Sequence, residues 1–131
     1  MASVASEAAN LITQLTLVAG GQSAQREAII AEEMASHPAA VLQAAILEGL
    51  PSGAASLEPN EHRLIVRIAP GCLCCIGHLA LTVNLHRLLR HRPQQLYIAL
   101  NDPQHLTRLR EQLCAPEYAA HLHLLRVHAL P

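Results

Sequence analysis

Three of the four cysteines in this 131-residue chain fall within four positions, Cys72, Cys74 and Cys75, in the stretch APGCLCCIGHLA that spans residues 69–80. Thiolates are soft ligands, and a zinc ion takes about four ligands with sulfur at about 2.3 Å. The run offers three sulfurs. If a helix has begun by Cys74, the imidazole of His78 stands one turn on and faces the same side. Cys74 and Cys75 fall where that helix should start, and the positive end of its dipole favours thiolate, the metal-binding form. Two other readings stay open on spacing alone. Cysteine is among the most buried residue types, so these side chains can be packing groups, and clustered thiols can carry redox chemistry.

A second candidate is the turn Gly20-Gly21-Gln22-Ser23-Ala24, which leads from an apolar run into a helix. Backbone amides at such a helix start can receive an anion. Glu48 and Asp102 are the carboxylates available as magnesium ligands. Among the nine histidines, His121 and His123 stand at i and i+2 on one strand face, with His128 further along. Such a pair can make a two-point metal site, although the edge of a solvated strand is the commoner use. Arg87, Arg90 and Arg92 with His86 and His91 form a basic helix face, either merely solvated or a contact for an acidic partner. Cys114, ahead of Ala115-Pro116, is expected in the core. No Ser-His-Asp set is credible, because the sole aspartate, Asp102, suits a helix cap.

Composition narrows the classes. The formal net charge is −1, and all nine basic residues are arginines. No long-range field attracts nucleic acid or an anionic membrane, so neither is an expected partner. No apolar run approaches the roughly 18 to 20 residues of a membrane span. The first residues lack the basic start of a secretory signal and carry Glu7, so residues 1–12 are expected to be a tail. A cytoplasmic location follows as the expectation, where thiols stay reduced and clustered cysteines favour metal or redox roles over structural disulfides. With 51% hydrophobic residues but no Phe or Trp, the core must be aliphatic.

The elements that must hold these residues follow from periodicity. Leu15–Ala19 reads as a strand, and Ser23 as the N-cap of a helix running to about Ser36. Val41–Leu47 and Arg63–Ile68 read as strands, separated by a loop from Gly49 to Asn60. Leu81, Leu85, Leu88 and Leu89 form the stripe of a helix closed by Arg92-Pro93. Leu96–Leu100 is a fourth strand, Asp102 and Pro103 fit N-cap and N1 of a helix lined by Leu106, Leu109 and Leu113, and Leu122–Val127 is a last strand. Strands interleaved with helices predict one domain over 1–131: a three-layer α-β-α arrangement around a mostly parallel sheet of about five strands.

Gly71-Cys72-Leu73-Cys74-Cys75 after the third strand, GGQSAQRE after the first and NDP after the fourth resemble, in order and spacing, the CobW-like family of P-loop GTPases, metallochaperones and their relatives. The resemblance implies a P-loop-NTPase-like fold and a GCxCC loop that carries a transferred or sensed metal, commonly zinc, cobalt or nickel. In that family nucleotide state gates the metal. It covers most of this chain but roughly the first half of such a protein, without the later guanine-reading Asn-Lys-x-Asp motif. The departures are chemical. A G-x-x-x-x-G-K-[ST] loop needs its lysine to reach the phosphates, and this chain has no lysine at all. The expectation is a degenerate, non-hydrolysing domain that binds zinc, cobalt or nickel through Cys72, Cys74, Cys75 and His78. Gly20 to Ala24 would be a remnant phosphate loop. A metal-homeostasis protein or an intact CobW-like GTPase is the expected partner, and a homodimer could form through a truncated sheet edge. The alternatives are a GTP-binding module and a thiol redox protein.

Overall fold

The computed structural model describes residues 12–49, 57–69 and 79–131. Its strands are β1 (Thr13–Gly20), β2 (Gln43–Glu48), β3 (Arg63–Ile68), β4 (Gln95–Leu100) and β5 (Leu122–Leu130). The helices are α1 (Ser23–Ala35), α2 (Leu79–Leu89), α3 (Leu106–Leu113, entered through a 3-10 turn at Pro103–His105) and α4 (Pro116–Ala119). The central strands are buried on both faces rather than alternating, which is what a parallel sheet covered by helices requires. All five strands pair in parallel, in the order β3-β2-β4-β1-β5.

Each face has its own core. Leu15, Leu17, Ile46 and Ile98 meet Leu81 and Leu85 of α2, Leu109 and Leu113 of α3, and Tyr118 of α4. Val18, Ala45, Leu47, Tyr97 and Ala99 meet Ile30 and Met34 of α1 on the other face. The result is the three-layer α/β architecture expected from the interleaved pattern. Fully burying one leucine or isoleucine is worth about 2 kcal/mol, so the aliphatic side chains suffice where aromatic ones are missing.

Several expectations are corrected in detail. The N-cap of α1 is Gln22, not Ser23, because Gln22 keeps an extended backbone (φ −98°, ψ 155°) and Ser23 is already helical. The last strand continues past Val127 to Leu130, since His128, Ala129 and Leu130 go on pairing with Val18, Ala19 and Gly20. Cys114 is exposed rather than core: it sits at the C-cap of α3, one position beyond the buried Leu113. Asp102 caps as expected, accepting from the Gln104 amide at 2.9 Å, but the element that it caps is the 3-10 turn.

Arg92 closes the turn after α2 at φ +53°, with its amide donating to the Leu89 carbonyl at 3.0 Å. A non-glycine residue in that left-handed region costs about 1 kcal/mol. On the edge strand β5, the register shifts so that Leu125 is bulged out and 45% exposed. A bulge beside exposed His123 and Arg126 discourages strand addition at that edge. Among the described residues, no helix is long and apolar enough to cross a membrane.

Candidate functional site at the carboxyl edge of the sheet

β1 and β4 are neighbours, yet the chain leaves them in opposite directions. After β1 it enters α1 on one face, and after β4 it passes into α3 on the other. The crevice between two such carboxyl ends is where open α/β sheets place ligands.

Only Gly21 and Gln22 lie between the end of β1 and the start of α1. Gly20 and Gly21 hold φ +85° and +59°, which the tight turn requires and which glycine adopts without a Cβ penalty. There is no spare room: a Cβ on Gly20 would stand 2.4 Å from the Leu130 carbonyl oxygen. The Gln22 amide is already used, donating to Gln25 Oε1 at 2.8 Å.

Arg26, from the first turn of α1, fills the crevice. It is only 2% exposed. Nη1 donates to the Gly20 carbonyl at 2.7 Å and the Gly21 carbonyl at 3.0 Å, and Nη2 donates to Asn101 Oδ1 just beyond β4. Asn101 in turn donates its backbone N–H to Glu48 Oε1 at 2.7 Å, at the end of β2. One guanidinium and one carboxylate thereby tie the ends of three adjacent strands. Burial pushes the Arg26 guanidinium below its ordinary pKa, while the charges of Glu48 and Glu27 oppose that. Arginine remains cationic through such a shift.

The next residue makes a second, partly buried connection. Glu27, 3% exposed, receives two guanidinium bonds from Arg67 of β3, Nη1 to Oε2 and Nη2 to Oε1, both at 3.0 Å. Glu27 Oε1 also accepts from the Leu57 amide at 3.2 Å. Arg67 stands one residue before Ile68, which pairs with Glu48 and whose carbonyl accepts from the Gly49 amide at 2.8 Å. The α1 helix thus pins the strand from which the chain continues toward the cysteines.

The expected site residues divide accordingly. Gly20, Gly21, Gln22, Ser23 and Ala24 form the β1–α1 turn and the helix start, and Glu48 reaches the same crevice. Cys72, Cys74, Cys75 and His78 lie outside the described residues. His121 and His123 do not form a pair on one strand face, because His121 sits in the turn before β5, its amide held by the Tyr118 carbonyl at 2.8 Å. His123 bonds Gln14 and His128 bonds Glu33, on separate partners. Among the described residues, no group of three or more His, Cys, Asp or Glu side chains is arranged to hold a metal ion.

Arg26, Glu27, Arg67 and Asn101 escape a reading of the sequence. One signal was present: Arg26, Ile30 and Met34 recur every fourth residue, placing an arginine in line with two core side chains. No family model, curated protein or solved structure matches this chain.

Proposed function

We propose that the chain is a non-hydrolysing, CobW-like domain that binds a transition metal, zinc, cobalt or nickel, through Cys72, Cys74 and Cys75, with His78 as a further donor. The observation that carries the loss of phosphate chemistry is Arg26. In a phosphate-binding loop, backbone N–H groups and a lysine converge on the phosphate oxygens. Here the donors that converge in the crevice belong to a guanidinium, and they are spent on the loop's own carbonyls and Asn101. The two-residue turn is also shorter than the four residues that separate the glycines of a G-x-x-x-x-G-K loop.

The metal half of the proposal rests on the donor set. Three sulfurs and an imidazole suit borderline-soft divalent ions and are a poor match for magnesium or calcium, which take oxygen. Ile68 and Ala69, at the carboxyl end of β3, are the last described residues before this segment. With no nucleotide to gate it, the loop would act as a holder or sensor beside a metal-homeostasis protein or an intact CobW-like GTPase.

Cobalt(II) absorption spectroscopy on the reduced protein tests this. Thiolate-to-cobalt bands that disappear in a Cys72→Ala, Cys74→Ala double variant are expected; their absence from the native chain would contradict metal binding. In parallel, Mg·GTP should leave the amide resonances of Gly20 to Glu27 unmoved. Saturable shifts there would favour the GTP-binding alternative.

A further inference from the structure

At the amino edge of the sheet, opposite the Arg26 crevice, three chain passages meet. The Thr13 amide donates to the His121 carbonyl at 2.8 Å, the Thr13 hydroxyl donates to the Pro93 carbonyl at 2.7 Å, and the Gln14 amide donates to the Gln94 carbonyl at 3.0 Å. Above this seam lies an open surface groove of about 380 Å³ lined by Thr13, Leu89 and the exposed Arg90, Arg92 and His121. It adjoins one of about 350 Å³ in which Leu89, Arg90 and His121 recur beside His86, Glu117 and Tyr118. His86 Nε2 is 3.1 Å from the Tyr118 hydroxyl, so these two rings make a fixed wall.

The charges in this cleft are uneven. Arg90 and Arg92 make no ion pair among the described residues. Among the described lining residues the single acid is Glu117, and it lines only the second compartment. Arg92 supplies an independent indication. It occupies the left-handed position after α2, at φ +53°, where glycine fits without strain. A bulky cation kept in a strained backbone position points to a use for its side chain.

We propose that this cleft binds a small molecule through one oxyanion, a phosphate monoester or a carboxylate. Arg90 and Arg92 grip the anionic end, since guanidinium forks match the oxygen geometry of both groups. His121 stands beside them as a further polar group, the Thr13 hydroxyl being spent on the Pro93 carbonyl, and Leu89 forms the apolar floor. At the other end Glu117 repels a second anion and accepts from a hydroxyl, so the ligand is anionic at one end and neutral and polar at the other.

Titrations of the full chain with inorganic phosphate and, separately, acetate, followed by amide NMR shifts, test the site. The expected result is saturable shifts centred on Arg90, Arg92 and His121 with at least one of the two anions, the tighter arm separating phosphate ester from carboxylate. Arg90→Gln should weaken the affinity about tenfold. Arg92→Gly should weaken it to a similar degree while raising Tm by a few degrees, because it relieves the backbone. That opposite pairing distinguishes a lost ligand group from a damaged fold. Shifts that fail to saturate, that spread equally over Arg87, Arg108 and Arg110, or that survive Arg90→Gln unchanged would overturn the proposal.

Discussion

The Arg26 guanidinium donates to the Gly20 carbonyl oxygen at 2.7 Å, fastening the first turn of α1 back onto the strand that precedes it. Because Arg26 also satisfies the Gly21 carbonyl and Asn101, removing it strands three acceptors beside the Glu48 carboxylate. Arg26→Met should therefore lower the unfolding free energy by about 3 kcal/mol. Urea unfolding measures this directly. A loss below about 0.5 kcal/mol, the usual size for a surface change, would mean that the guanidinium is not a structural plug.

The Glu27–Arg67 pair should behave as a coupled unit, its carboxylate buried and its guanidinium partly exposed. Glu27→Leu alone leaves the Arg67 charge uncompensated and should cost about 3 kcal/mol, whereas Glu27→Leu with Arg67→Met should recover much of that loss. A double-mutant cycle in urea reads the coupling. Additive single losses would show the two side chains to be independent.

Tyr97 ties the core under α1 to alkaline pH. It is 1% exposed, donates to Gln43 Oε1 at 3.2 Å, and has its pKa pushed up from 10.0 to about 12 by burial, with the nearby Glu33 charge adding to the effect. The folded chain therefore keeps a proton that the unfolded chain releases. This contribution is intact below about pH 10 and is lost as pH rises toward about 12, a change of about 3 kcal/mol for a shift of that size. Unfolding free energies measured across that window should fall for the native chain and fall less for Tyr97→Phe. Equal slopes would remove Tyr97 as the cause.

The two turn glycines should differ in their tolerance of alanine. A Cβ on Gly20 meets the Leu130 backbone at 2.4 Å, while one on Gly21 first meets the movable tip of Gln25 at 2.6 Å. Both positions pay the left-handed cost of about 1 kcal/mol, and Gly20→Ala adds a clash that only a shift of β5 relieves. Gly20→Ala should thus lower Tm more than Gly21→Ala. The reverse order in thermal unfolding would contradict the packing of Leu130 over the turn.

Much of the fold was legible because apolar spacing carries it. The Arg63–Ile68 strand and the leucine stripe of α2 follow from local pattern alone. The insertion of β4 between β1 and β2 does not, since strand order depends on how the helices divide between two faces. Cys114 shows a residue tendency yielding to position: cysteine is commonly buried, but the stripe Leu106, Leu109, Leu113 turns the next residue outward. Gly20 and Gly21 announced a turn at the carboxyl edge. Arg26 and Glu27 stayed hidden because charged helix residues are ordinarily solvated, and only their tertiary partners Asn101 and Arg67 explain their burial.

The central claim is a metal loop uncoupled from nucleotide, and native mass spectrometry of the reduced chain loaded with zinc tests it most directly. The predicted result is a zinc-bound mass that disappears in the Cys72→Ala, Cys74→Ala variant and is unchanged when Mg·GTP is added. A chain that stays metal-free at zinc excess, or one that releases its zinc on addition of Mg·GTP, would contradict it.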